Sequence, residues 1–440
     1  MTLAPWLLAA LILGGCGQEP PDRAQGVLLR ISCGSVGLEY TLCNDGAQRW
    51  AQATGNRVEV VSTPNSTTER LALYQQLLGA GADDIDVLQV DVIWPGILAP
   101  HLLDLAPAAA GAEEAHFKAI IENNTVDGRL VAMPWYTDAG VLYYRKDLLE
   151  KYAENVPGTW AELTETAARI QAAERAAGNG KLWGFVWQGR AYEGLTCNAL
   201  EWVASHGGGT LVDNRGRVTI GNPRAAAALE LAASWVGTIS PPGVLNYAEE
   251  EARGVFQSGN AVFMRNWPYA WSLAQSEDSP IRNNVGVTTL PAGPGGKSAA
   301  TLGGWQLAVS KYSRHPRLAA WLVTFLTSPE EQTRRAIAGA YNPTIAALYT
   351  RPDVLEANPF FDSLYETFTH AVPRPSRRAG QRYNELSSEF WSAVSSVLAG
   401  RQSAPEALEQ LAPRLDHLLQ AAREAAGETN DKAPDSRSGT

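Results

Sequence analysis

Five short stretches of this 440-residue chain set an aromatic ring, a charge or a glycine backbone beside a chain break. They are Asp91-Val92-Ile93-Trp94, Trp135-Tyr136-Thr137-Asp138, Arg265-Asn266-Trp267-Pro268-Tyr269, Gly303-Gly304-Trp305 and Val372-Pro373-Arg374-Pro375. Sugars need this mixture. A pyranose has an apolar C–H face that packs on an aromatic ring, and a rim of hydroxyls that carboxylates and guanidinium forks bind bidentately. Leaving one such buried partner unpaired costs about 1–3 kcal/mol, which is how a pocket discriminates between sugars. Each stretch also has a plainer reading. Trp94 and Trp135 fit a core, Asp91 and Asp138 fit caps or turns, and Arg374 fits a surface guanidinium. Tyr143, Tyr144 and Trp187 fall on predicted strands and are assigned to the core.

Other chemistries lack their parts. Pro291–Ser298 approaches a phosphate-binding loop, but Pro291 stands where the pattern needs glycine, so a Gly-Pro hinge loop is the better reading. The six histidines (His101, His116, His206, His315, His370, His417) show no HExxH or paired ligand spacing, and no metal or cofactor is expected. No Gly-x-Ser-x-Gly elbow appears, and no cysteine has a nearby histidine to activate it. With 36 Lys plus Arg against 46 Asp plus Glu, the formal charge of −10 argues against a nucleic-acid or anionic-membrane surface. The chain holds 14 Trp and 14 Tyr but only 9 Phe, a balance that favours rings with a polar handle over plain core builders.

The elements that must position these residues follow from periodicity. β-Rich runs at Val27–Ile31, Arg57–Ser62 and Ile85–Val90 alternate with helical patterns from about Glu39 and over Thr67–Leu78. Such alternation implies βαβ units and a largely parallel sheet, with Asp91 at a carboxyl end where open α/β sheets place their ligand crevices. Val131–Pro134 leads, after a polar break at Thr137-Asp138, into a strand at Gly140–Tyr144. Further strands are predicted at Ala261–Arg265, Val285–Leu290 and Trp305–Val309. A capping box opens the helix at Thr159, and Asn222 with Pro223 opens another. The region from Arg382 to about Ala425 is helical. Two α/β lobes are expected, with crossings near Thr137–Gly140, Leu290–Pro294 and Tyr341–Thr344.

The ends carry separate signals. Leu3–Gly15 is apolar and uncharged over 13 residues, short of the roughly 20 that span a bilayer but within the span of a signal-peptide core. Leu13-Gly14-Gly15-Cys16 resembles a bacterial lipobox, which makes Cys16 the lipidation site and 16–26 a polar tether. Export permits disulfides; Cys33 ends a predicted strand and Cys43 lies on the next helix, so the two are candidates for a bridge. Cys197 reads as a buried small hydrophobe. Residues 427–440 are polar and turn-rich, and are read as a disordered tail.

Four long strings are more specific than any of these motifs: MPWYTDAGVLYYRKDLLEKY (133–152), WGFVWQGRAYEGLTC (183–197), FMRNWPYAW (263–271) and KSAATLGGWQLAVSKYS (297–313). In order and spacing they resemble the trehalose/maltose-binding proteins of ABC importers, within the family 1 extracellular solute-binding proteins. The resemblance covers roughly 27–425. It implies a type II periplasmic-binding-protein fold, with 27–137 and 291–343 forming the N-terminal lobe and 138–290 and 344–426 the C-terminal lobe. It further implies that Tyr136, Trp267, Tyr269 and Trp305 stack on or wall the sugar. Glu39, Arg70, Asp91, Asp138 and Arg374 would bind hydroxyls, and Gly304 would lie beside Trp305. Thr68 and Trp94 are weaker candidates.

The function so implied is a monomeric receptor, not an enzyme, in the periplasm or on the cell surface and anchored through Cys16. It closes around an α-linked disaccharide such as trehalose or maltose and presents it to permease subunits. A receptor for sucrose or glucosylglycerol is the alternative. A glycoside hydrolase using Glu39, Asp91 or Asp138 is disfavoured, because arginine neighbours should lower carboxylate pKa values and suit hydroxyl binding better than acid catalysis.

Overall fold

The computed structural model describes residues 25–213 and 215–425. The signal segment, Cys16 and the tail at 427–440 lie outside the described residues, as does nearly all of the tether. Eleven strands occur among the described residues: β1 (Leu28–Cys33), β2 (Arg57–Ser62), β3 (Val87–Asp91), β4 (Thr125–Val126), β5 (Arg129–Leu130), β6 (Met133–Ala139), β7 (Val141–Arg145), β8 (Trp183–Val186), β9 (Ala261–Asn266), β10 (Val285–Thr288) and β11 (Leu302–Val309).

They form two main sheets, ordered β2-β1-β3-β11-β6 and β10-β7-β9-β8, plus the small β4-β5 hairpin. In the first sheet β1 pairs in parallel with both β2 and β3, as the alternation of β-rich and helical runs predicts. β11 is antiparallel to both β3 and β6. Both strands beside β11 are buried at every residue, because helices and loops cover each face. The polar pair Thr137-Asp138 does not break the chain. It lies inside β6, whose last residues reach the cleft.

Local signals set the helix starts. Ser66 accepts from the Glu69 amide at 3.4 Å to open Thr67–Gly79. Thr159 and Glu162 form the reciprocal capping box of Trp160–Ala176, and Asn222 accepts from the Arg224 and Ala225 amides. The helical end region is two helices, Tyr383–Leu398 and Ala404–Ala425, packed against each other and against Pro223–Trp235. No helix among the described residues is long and apolar enough to cross a membrane.

The chain passes between sheets first at Gly140, between β6 and β7. The crossing expected at Leu290–Pro294 comes later. Ala292 accepts from the Trp160 amide and the Gly293 amide donates to Ser205, so this stretch stays on helices of the second sheet. The chain leaves them at Thr301, whose hydroxyl donates to the Cys197 carbonyl just before β11 begins. The third passage is also longer than Tyr341–Thr344. The Phe117 amide donates to Thr344 and the Asn358 amide group to the Ala336 carbonyl, both on first-sheet elements. Only at Val372, bridged to Thr301, is the passage complete.

Candidate ligand-binding cleft

Strand register brings three of the predicted residues together. Trp305 on β11 lies opposite Asp91 on β3 and opposite Tyr136 on β6, with a bulge between Trp305 and Gln306. One row across three strands thus carries an acid, an indole and a phenol, and bulges of this kind re-aim a side chain. The parallel strands β1, β2 and β3 end on the same side, and the segments after them supply Glu39, Arg70 and Asp91.

These residues form one wall of a cleft between the lobes; residues following β8 and β9 form the other. Glu39, Asp91, Tyr136, Asp138, Gly304 and Trp305 line it from the first lobe. Trp267, Tyr269, Arg374, Glu193 and Glu249 line it from the second. The walls touch, leaving a cavity of about 60 Å³. Binding sites for drug-sized ligands run to roughly 300–1,000 Å³, so a ligand of that size enters only when the lobes part. A larger space of about 680 Å³ runs along Pro95, Asn123, Asp127 and Arg382, shares no residue with the cleft and has no aromatic lining.

On the first wall, Glu39 accepts from Tyr136 and, at 3.2 Å, from Gln89. Arg70 is wholly buried and spreads its guanidinium 4.3 Å from the Trp305 ring centroid. Its Nε donates to the Pro64 carbonyl at 3.0 Å, while Nη1 and Nη2 have no hydrogen-bond partner among the described residues. Asp138 Oδ1 is likewise buried and without a partner. Gly34 is a glycine for a spatial reason: a Cβ there would strike both the Glu39 carboxylate and Arg70 Nη2.

On the second wall, Arg265 lies 3.9 Å from the Trp267 ring centroid and pairs with Glu201 through Nε (2.8 Å) and Nη2 (2.5 Å). Trp267 Nε1 donates to Glu249 at 3.4 Å, and the Tyr269 hydroxyl donates to Glu250 at 2.7 Å. Arg374 joins the walls. Nη2 donates to Asp91 at 3.0 Å and Nη1 to Glu193 at 2.9 Å. Tyr383 and Ser387 also donate to Glu193, so this guanidinium is held from several sides. At the mouth, Arg190 pairs with Glu69 at 2.9 Å and the Glu193 amide donates to Thr68 at 3.4 Å.

Electrostatics overturn one expectation. Burial, and after it the negative charge of Glu39, push the Asp138 carboxyl well above the usual carboxylate range. Burial also raises Glu193, against the pull of Arg374. Arginine neighbours pull both groups down, but desolvation outweighs that attraction where water is excluded.

The placements divide the sequence-predicted set. Nine of its ten principal members line the cavity, and Arg70 backs it through Trp305. Trp94 packs behind the wall, edge-on to Trp305 at 5.4 Å and to Tyr74 at 5.8 Å. Thr68 meets the opposite lobe and does not line the cavity. Asp91 fills both of its readings, since Oδ1 also accepts from the Ile93 amide as a turn residue does. Sequence reasoning missed Glu193, Glu249 and Tyr341. The two acids stand in the first turns of helices Glu193–Ser205 and Glu249–Gln257, and Tyr341 sits in an expected crossing. Cys197 is buried as expected and also lines the cavity, where burial pushes its thiol up to about 12. Cys33 and Cys43 are bridged, with Cα atoms 6.6 Å apart.

The sequence pattern of bacterial extracellular solute-binding proteins matches residues 44–333. A probable ABC transporter-binding protein of Deinococcus radiodurans is 54% identical over 399 residues, covering 90% of this chain and 95% of the relative. The mannitol-binding protein of Pseudomonas aeruginosa is 25% identical over 302 residues, 64% of this chain and 68% of its own. Among solved structures, maltose-bound MalE3 of T. maritima superposes with a TM-score of 0.85 at 43% identity, covering 89% of this chain and all of that one. Such structures have two lobes, as here. The chain belongs to the bacterial extracellular solute-binding protein family.

Proposed function

We propose that this protein is the extracytoplasmic receptor of an ABC importer, and that it captures an α-linked disaccharide by lobe closure and delivers it to the permease. One observation carries the reading. Buried donors (Arg70 Nη1 and Nη2) and a buried acceptor (Asp138 Oδ1) stand without partners beside a cleft walled by Tyr136, Trp267, Tyr269 and Trp305. A hydroxyl is both donor and acceptor, so a sugar satisfies both kinds at once while its C–H faces meet the rings. A ligand drives closure only by binding the closed state better, and contacts drawn from both lobes meet that condition.

The likeness to maltose-bound MalE3 supports an α-linked glucose disaccharide, maltose or trehalose. Glu39, Arg70, Asp91, Asp138 and Arg374 take the hydroxyl-binding roles in this proposal, Gly304 offers backbone only, and Cys16 holds the mature protein to the membrane. The test is calorimetric titration with trehalose, maltose, sucrose, glucosylglycerol and mannitol, followed by product analysis after long incubation. Micromolar or tighter binding of maltose or trehalose without release of glucose is the expected result. Binding of mannitol alone, or turnover, would refute it.

A further inference from the structure

The stretch from Cys33 to Cys43 carries more of the cleft than its length suggests. Helix Glu39–Thr54 starts at Leu38 without a side-chain cap, so its first turn lacks the usual local restraint. Before it runs Gly34-Ser35-Val36-Gly37-Leu38, a segment with two glycines and a high entropy to lose on ordering. Yet this turn does three jobs. The Val36 amide donates to Glu39 Oε2 at 3.3 Å. The Gly34 amide donates to Gln89 Oε1 at 2.6 Å, and Gln89 in turn donates to Glu39. Gly37, at φ +58°, leaves room against which the Tyr269 ring of the opposite lobe seats; a Cβ there would strike that ring.

The bridge closes around this segment. Cys33 is the last residue of β1, and Cys43 stands four residues after Glu39, one helical turn along the same face. Both sulfur-bearing residues are fully buried. We propose that the Cys33–Cys43 disulfide is a positioning element of the ligand site: it holds the Glu39 carboxylate beside Arg70. This rests on the receptor reading above. A disulfide also narrows the unfolded ensemble, so the positioning role must show in binding and not only in melting.

The experiment is a cycle. Cys33→Ala/Cys43→Ala is made in the native chain and in Glu39→Gln, and all four proteins are titrated with maltose well below their melting temperatures. The alanine pair should bind about tenfold more weakly in the native chain and lose little more in Glu39→Gln, because a loosened carboxylate matters only where there is one. Amide hydrogen exchange in the ligand-free protein should quicken at Gly34–Glu39 and stay unchanged in β3 and β11. Unchanged affinity, an equal loss in both backgrounds, or unchanged exchange at Gly34–Glu39 would overturn the proposal. Where the alanine pair does not fold, Cys33→Val/Cys43→Ala restores buried volume and serves the same cycle. A native chain that binds no sugar refutes the receptor reading, and exchange at Gly34–Glu39 then decides the positioning role alone.

Discussion

On one wall of the cleft Arg70 lies over Trp305 with both Nη atoms unpaired; on the other Arg265 lies over Trp267 with all three nitrogens bonded to Glu201 or Gln188. The two arginine–tryptophan stacks share a geometry and differ in what remains open. Trp267 and Tyr269 likewise spend their polar atoms on Glu249 and Glu250, while Asp138 on the first wall keeps an oxygen free. The first wall thus holds the open Arg70 donors and an open Asp138 oxygen, whereas on the second the polar atoms of Arg265, Trp267 and Tyr269 are taken and Arg374 keeps its Nε open. A buried charge left unpaired is unfavourable in the protein alone and becomes favourable when a partner arrives. Most of the open hydrogen-bonding capacity therefore lies on the first wall, and most of the closed pairs on the second.

Substitutions at matched positions test that division. The largest effect belongs to Arg265→Met, which strands Glu201 in the core; removing one member of a buried pair costs about 3–5 kcal/mol, read by denaturant unfolding. Arg70→Met should reverse the balance. With only the Pro64 hydrogen bond to lose, its unfolding free energy should change by about 1 kcal/mol, whereas maltose affinity should fall about a hundredfold on loss of two charged donors. If Arg70→Met unfolds as readily as Arg265→Met, the two walls do not differ as described.

Asp138 sharpens the comparison through pH. Folding raises its pKa well above the ordinary aspartate value of 3.8, so the native state holds the proton more tightly than the unfolded chain. Its stabilising contribution is complete below about pH 4 and is lost as pH rises through the native value. Asp138→Asn cannot ionise. It should be more stable than the native protein at pH 7, with a flatter profile above pH 4, and should bind maltose about tenfold more weakly. The smallest effect is expected at the mouth. Arg190 and Glu69 are about half exposed, so Arg190→Ala should change closure by about 0.5 kcal/mol, and the difference should vanish at high salt in a titration series.

How much of this was legible follows from what each residue depends on. Strands β1, β2 and β3 and the capped helices announce themselves through local patterns, and so do Asp91 at a strand end and Trp305 after Gly303-Gly304. Glu193 and Glu249 do not. An acid in a first helical turn is ordinary dipole chemistry in sequence, and only packing shows that these two face a cleft. The crossing was read too early, at Leu290–Pro294, because proline and glycine mark a bend without saying which lobe the bend lies on. The rise of Asp138 was hidden for a related reason. Burial decides it, and nothing at positions 137–139 reveals that β6 is covered on both faces.

The place of β11 has a consequence for the order of assembly. All four strands of the second sheet lie within Val141–Thr288, so that sheet is complete before Trp305 leaves the ribosome. The first sheet waits, its β3 and β6 edges unjoined, until residues 302–309 arrive from beyond the other lobe to fill the gap. Pairing over such sequence separation is slow. The lobe that begins the chain is thus the later of the two to close its sheet, and a truncated chain ending before β11 would carry the cleft acids and the rings of Trp267 and Tyr269 without the indole of Trp305 and the guanidinium of Arg374.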